Sequence, residues 1–204
     1  KQSIFDYHNM NRIIFRDQDF MYLLPHSSLR KWISNYSITF PHTEMMSEQY
    51  TIIPHGSTTM VFTVDSNQID SKLFGPLVKP ACVGNQINSF YLIFIIEFHP
   101  AGYFAFSNLP QKELTDIVLP LCDLDPMLHR LIEQRLEKST NIDTFINEID
   151  RLFMNYVKTS FYQQEFSLAN QKIIQSGGAL SVKELSQETY YSERHLNRMF
   201  DKYL

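Results

Sequence analysis

Phe90–Phe98 reads FYLIFIIEF, an apolar run broken only by Glu97. A membrane-spanning helix needs about 20 apolar residues, so this run is far too short to cross a bilayer. A short, nearly continuous apolar stretch predicts a central strand buried on both faces. The segments on either side of it decide what kind of sheet it joins.

Upstream, the polarity alternates with period two. Tyr36, Ile38 and Phe40 alternate with Asn35, Ser37 and Thr39, and Pro41 ends the pattern. Glu48–Ile53 reads as a second short strand, closed by the turn signal Pro54-His55-Gly56. Thr58–Asp65 and Ile69–Phe74 read as two more, separated by Ser66-Asn67. Met21–Leu24 is a short apolar piece stopped by Pro25, and Ser28–Ile33 suits a helical turn carrying Trp32. Residues 1–20 carry little pattern and read as a lead-in arm. Several short strands with turns at this spacing predict a small barrel or sandwich.

Downstream of His99 the period changes to that of a helix. Pro100 and Pro110 stand where short helices start, because the first helical position tolerates a missing N–H. Asp125-Pro126 opens Met127–Lys138, with Leu128, Leu131, Ile132 and Leu136 on one stripe. In the next helix Ile142, Phe145, Ile146, Ile149, Leu152, Phe153 and Tyr156 recur in threes and fours, with Asn141 or Thr140 as its cap. These two helices suit either covering the sheet or pairing with a second copy, which makes residues 126–158 the candidate homodimer surface. Lys158–Gln164 is predicted to be a short hinge. Glu165–Gln175 is a further helix, stopped by Gly177-Gly178.

Composition is that of a globular protein: 204 residues, 44% hydrophobic and 20% charged, with a net charge of −4. A basic patch would have to be local. Cys82 and Cys122 are the only cysteines, too few for a disulfide framework, and buried free thiols are expected. The chain start lacks an apolar core of signal-peptide length, so a cytoplasmic location is expected.

The last stretch, Ser181–Leu204, reads SVKELSQETYYSERHLNRMFDKYL. Ser181 and Glu184 form a capping box for one helix, and Ser192 caps the next. At about 100° per residue, Leu196, Met199, Phe200 and Tyr203 gather on one side and Arg194, Asn197, Arg198 and Asp201 on the other. Arginine can bridge two acceptors on guanine, and asparagine two groups on adenine.

The run S-x-R-x-L-x-R-x-F, filled by Ser192, Arg194, Leu196, Arg198 and Phe200, resembles the first helix-turn-helix of AraC-type transcription regulators. The lead from Leu185 to Tyr191-Ser192 fits that family, as does the small residue Ser186. Members often have glycine at the break, where Tyr190 stands; a left-handed backbone there would strain a tyrosine. The upstream turns Ile53-Pro54-His55-Gly56, Phe74-Gly75-Pro76 and Glu97-Phe98-His99-Pro100-Ala101-Gly102 resemble those of the cupin-like amino-terminal domain that certain members carry. The resemblance implies an α+β fold: a cupin-like β-barrel with a helical layer, then an all-α partial helix-turn-helix domain. The expected boundaries are 1–20 for the arm, 21–158 for the sensor or dimerisation unit, and 163–204 for the helix-turn-helix.

The resemblance also implies sequence-specific DNA binding, with Arg194, Asn197 and Arg198 at base-reading positions, Ser192 and Lys202 at phosphates, and His195 at a phosphate or exposed. The family carries a second helix-turn-helix, so the chain to Leu204 is expected to be a truncated DNA-binding domain that binds its operator poorly. A small effector is the other expected partner, with Trp32, Tyr36, Phe40, Tyr50, Phe62, Tyr91 and Phe94 as candidates to line its site. No nucleophile–base spacing and no glycine-rich phosphate loop appears, and an enzyme is not expected. The alternatives are a metal-dependent cupin enzyme using His42, His55 or His99, with Glu44, Glu48 and Glu97 nearby, and a protein-interaction module. The close His-x-His pair that metal cupins share is absent from the sequence, and no metal or cofactor is expected.

Overall fold

The computed structural model describes residues 12–66, 68–157 and 164–204. The start of the arm, Asn67 and nearly all of the expected hinge, residues 158–163, lie outside them.

In chain order the strands are β1 (Ile13–Arg16), β2 (Phe20–Leu23), β3 (Ile33–Thr39), β4 (Thr51–Ile52), β5 (Thr59–Val64), β6 (Ile69–Phe74), β7 (Ala81–Cys82), β8 (Leu92–Phe98) and β9 (Val118–Pro120). Seven of them form one antiparallel sheet in the order β1-β2-β3-β8-β5-β6-β9. The apolar run at Phe90–Phe98 is therefore central, with β8 between β3 and β5. Strands β4 and β7 form a separate two-stranded ladder. The sheet begins at Ile13, inside the stretch read as an arm. Arg12 holds that edge, through Nε to the Leu24 carbonyl and Nη2 to Asp150.

The helices are α1 (Phe104–Ser107), α2 (Leu121–Leu124), α3 (Pro126–Lys138), α4 (Ile142–Tyr156), α5 (Gln164–Gln175), α6 (Val182–Thr189) and α7 (Glu193–Tyr203). Their starts follow the local chemistry of the chain. The Asp125 carboxylate accepts the Leu128 N–H, and Asn141 accepts the Thr144 N–H. Each bond satisfies an amide that the first helical turn leaves without a partner.

Helices α3 and α4 lie across one face of the sheet. Phe94 meets Phe145 edge-on at 4.7 Å, Phe62 stacks on His129, and Phe98 packs near Phe153. The apolar stripe of α4 is buried against the protein's own sheet. Its outward side keeps Met154 exposed, and α3 keeps Met127 exposed.

The alternation along β3 separates two environments. Tyr36 and Ile38 point to the helices, while Asn35, Ser37 and Thr39 point to the opposite face, and all five are buried. That opposite face is roofed by the β4–β7 ladder and its flanking loops. Asn88 ties the roof together: Met46 donates its N–H to Asn88 Oδ1, and Asn88 Nδ2 donates to the carbonyls of Thr43 and Met46.

Two of the glycine-containing turns have a steric reason. A Cβ on Gly102 would stand 2.0 Å from the Trp32 carbonyl oxygen, and one on Gly75 would stand 1.6 Å from that of Leu114. Both distances are impossible for a side chain. Gln111 links the turn before β5 to the turn after β8, accepting the Ala101 N–H and donating to the Gly56 carbonyl.

Both cysteines are free, but they are exposed, which corrects the expectation of buried thiols. Cys82 lies on the short ladder and Cys122 in a single-turn helix, and neither position is covered by another layer.

Candidate functional site

Helices α6 and α7 are joined by a tight turn. Ser181 caps α6 in a reciprocal capping box with Glu184, whose carboxyl the Ser181 hydroxyl and N–H hold below the ordinary carboxylate range. Helix α6 ends with Tyr190 in the left-handed conformation, at φ 59° and ψ 22°. The strain foreseen for a tyrosine at the break is thus present, and its ring is 94% exposed, so no packing compensates for it. Ser186 donates its hydroxyl to the Tyr191 carbonyl across the turn. Ser192 then accepts the His195 N–H and starts α7.

Helix α7 is divided lengthwise. Leu196, Met199 and Tyr203 are buried with Phe166 and Ala169 of α5 and Leu185 of α6. Arg194, Asn197, Arg198 and Lys202 are exposed. Arg194, Arg198 and Lys202 follow one another at four-residue spacing, a basic row about 12 Å long. Ser192 is exposed at the head of the row. His195 turns partly inward: its ring lies 5.1 Å from that of Tyr191, and Nε2 stands 3.9 Å from the Glu165 carboxylate. Arg198 Nη2 approaches His195 Nδ1 at 3.4 Å. Glu193 and Asp201 are also exposed, so the face is mixed in sign.

This helical unit rests on the turn after β8. Asn170 donates to the Pro100 carbonyl, and Lys112 Nζ donates to the Asp201 carbonyl. Ala101 and Phe104 belong to the apolar cluster of the helical unit rather than to that of the sheet.

A pocket of about 440 Å³ lies between the sheet and its β4–β7 roof. Its floor includes Ile93, Ile95 and Glu97 of β8 with Thr59, Val61 and Thr63 of β5, and its walls include Phe20, Tyr22, Tyr50, Phe74 and Phe90. Burial raises the Tyr22 phenol above its ordinary value, and the charge of Glu97 raises it further. An open cleft of about 810 Å³ lies at one end of the sheet, between the rim residues Asp19, His42 and Asp65 and Glu133 and Glu137 of α3.

The aromatic residues singled out for an effector site are not brought together. Tyr36, Phe62 and Phe94 are fully buried on the helix-covered face, and Trp32 packs on Phe106. Phe40 and Tyr91 line the open cleft, and Tyr50 lines the roofed pocket. Tyr22 is a pocket residue that sequence reasoning missed, and Glu97, considered there only beside the candidate metal histidines, had one available signal for a pocket. Glu97 is the lone charge in the central apolar strand.

Three histidines were weighed as metal ligands. His42 lines the cleft, His55 lines the pocket, and His99 is held at the Trp32 carbonyl by its N–H. Among the described residues no three His, Cys, Asp or Glu side chains gather in a way that could hold a metal ion. No described helix is long and apolar enough to cross a membrane.

Residues 21–120 match the model of a family described as a domain of unknown function, DUF6597. The matched stretch runs from β2 to the end of β9, which is the sheet without its β1 edge. It stops before α3 and α4 and does not reach the helical unit. Comparison with curated proteins and with solved structures finds no match.

Proposed function

We propose that this chain belongs to a sequence-specific transcription regulator of AraC type. In this reading the sheet unit senses a small effector, and α6 and α7 are the first helix-turn-helix. The observation that supports it is the division of α7. One side is locked into the core by Leu196, Met199 and Tyr203, and the other presents Arg194, Asn197 and Arg198 to solvent behind a tight turn. A recognition helix needs this arrangement, because its buried side fixes its angle while its polar side reads base edges. Lys202 and Ser192 would meet phosphates, which position the helix without reading sequence. The matched domain with no known activity leaves the sensing role to be read from the pocket. The homodimer would form through the outward sides of α3 and α4.

The test is selection from a random duplex library with the natural chain carrying this sequence, followed by gel-shift titration of the enriched duplex. Enrichment of a defined motif, lost in R198A, is the expected outcome. Binding with no sequence preference would overturn the proposal. Affinity should fall steeply with salt, as it does wherever lysine and arginine displace counterions from phosphates.

A further inference from the structure

We propose that the roofed pocket of about 440 Å³ is the effector site and that its ligand is a small amine: an apolar or aromatic body bearing one cationic nitrogen, which pairs with Glu97. The proposal rests on the regulatory reading for its consequence at DNA, and stands on the pocket alone for the ligand class.

The pocket has the size of a site for one small molecule, within the roughly 300–1,000 Å³ common for such sites. Its lining is mainly apolar and aromatic, and among the described residues Glu97 makes no hydrogen bond and no ion pair. Glu97 is half-buried, and a carboxylate without a protein partner in a mainly apolar lining marks where a donor on a ligand fits.

The sign of the missing charge follows from the neighbours of Glu97. Lys72 also lines the pocket, two residues from Asp70 on β6; it is exposed and pairs across the sheet with Val61, which pairs with Ile95. Two strand spacings and two residues along β8 put Lys72 about 12 Å from Glu97. His99 is closer, but burial lowers its affinity for a proton, so it is neutral at pH 7. His55 also lines the pocket, where its Nδ1 accepts the Ser57 N–H. Asp70, a second carboxylate in the lining, accepts the Ser71 N–H.

A cation entering beside Tyr22 and Tyr50 would meet a carboxylate and the faces of aromatic rings, both of which favour it. An anion would be repelled at the Glu97 end of the pocket, away from Lys72. A neutral apolar ligand would strip water from Glu97 without replacing it.

Three probes of one shape separate these cases: 2-phenylethylamine, 2-phenylethanol and 3-phenylpropanoate. Titration calorimetry on the full chain should show the amine binding about tenfold or more tighter than the alcohol, and no binding of the acid. E97Q should bind the amine no better than the alcohol, with its far-UV circular dichroism and melting temperature near those of the parent. Should E97Q fold poorly, the ranking of the three probes on the parent protein decides alone. The assignment is overturned if the alcohol or acid binds as well as the amine, if E97Q keeps the amine preference, or if none of the three binds. Failure to select a DNA motif would sink the regulatory reading alone, because the calorimetry contains no DNA.

Discussion

The Phe104 ring meets the Tyr203 ring edge-on, with 4.8 Å between centroids. Phe104 begins α1, in the turn that leaves the central strand, and Tyr203 ends α7. This pair, with the Lys112–Asp201 bond, joins the sheet unit to the helical unit. Truncating a buried phenylalanine costs about 3–5 kcal/mol. F104A should therefore loosen α5–α7 while leaving the sheet intact. Hydrogen exchange should show faster amides in residues 164–204 and unchanged protection in β3, β5 and β8. Uniform loss across both units would show that the contact does not separate them.

Arg198 is exposed and touches only His195 among the described residues, so its removal should leave stability within about 0.5 kcal/mol. A bidentate contact to a base is worth about 1–3 kcal/mol. R198A in the natural chain should accordingly lose specific binding to the selected duplex at an unchanged melting temperature. H195A should have a smaller effect, because that ring is turned toward Glu165. Unchanged operator affinity of R198A in a gel shift would remove this residue from the recognition surface.

Asp150 is the hub of a buried network on α4. It accepts Arg12 Nη2 at 2.6 Å, the Tyr36 hydroxyl at 3.0 Å and the His26 N–H at 3.0 Å. Its side chain is 4% exposed and that of Arg12 is 12%. Removing one partner of a buried pair strands the other charge, at a cost of about 3–5 kcal/mol. D150A should lower the unfolding free energy obtained by urea titration by that amount, and so lower the midpoint, and R12A by less, since Arg12 sits at the sheet edge. A D150A midpoint equal to the parent's would show that the network is dispensable.

Tyr190 gains no packing from its left-handed conformation, so glycine should relieve the strain at little cost. Y190G is expected to stabilise the protein by about 1 kcal/mol. At this chain length that corresponds to a rise in Tm of about 2–4 °C, measurable by calorimetry. A fall would mean that the exposed ring has a role that its burial does not reveal.

The capping box on α6 titrates with Glu184. Its pKa is lower in the folded state than in the unfolded one, because the bonds from Ser181 favour the charged form. The box is thus fully formed above the ordinary carboxylate value and is lost as pH falls through the lowered folded value. The protection factors of the first amides of α6, each taken against the intrinsic rate at the same pH and compared with those of α7, should fall selectively on acidification below about pH 4. An equal fall in both helices would point to global unfolding instead.

The helix starts were legible because each depends on contacts three residues apart. Asp125, Asn141, Ser181 and Ser192 all act where their side chains can reach only the next turn. The strands at Ile33–Thr39, Thr59–Val64 and Ile69–Phe74 were legible for the same reason, since period two is a local property. The matched domain covers most of that sheet but says nothing of α7, where the candidate recognition residues stand in a pattern the chain spells out itself.

Other features could not be read in this way. A period-two pattern is unchanged when the two faces of a sheet are exchanged. Nothing in the alternation of β3 or β8 says that Tyr36 and Phe94 meet helices while Glu97 and Ile95 meet a pocket. That choice depends on α3 and α4, which lie far beyond both strands in the chain, packing against one face and the β4–β7 ladder against the other. The exposure of the cysteines and the contact of Phe104 with Tyr203 are likewise set between segments distant in the chain. Local side-chain chemistry thus determined the elements, their ends and the polar side of α7. Long-range packing determined which sheet face encloses a ligand-sized space, because burial belongs to pairs of surfaces and not to any one segment.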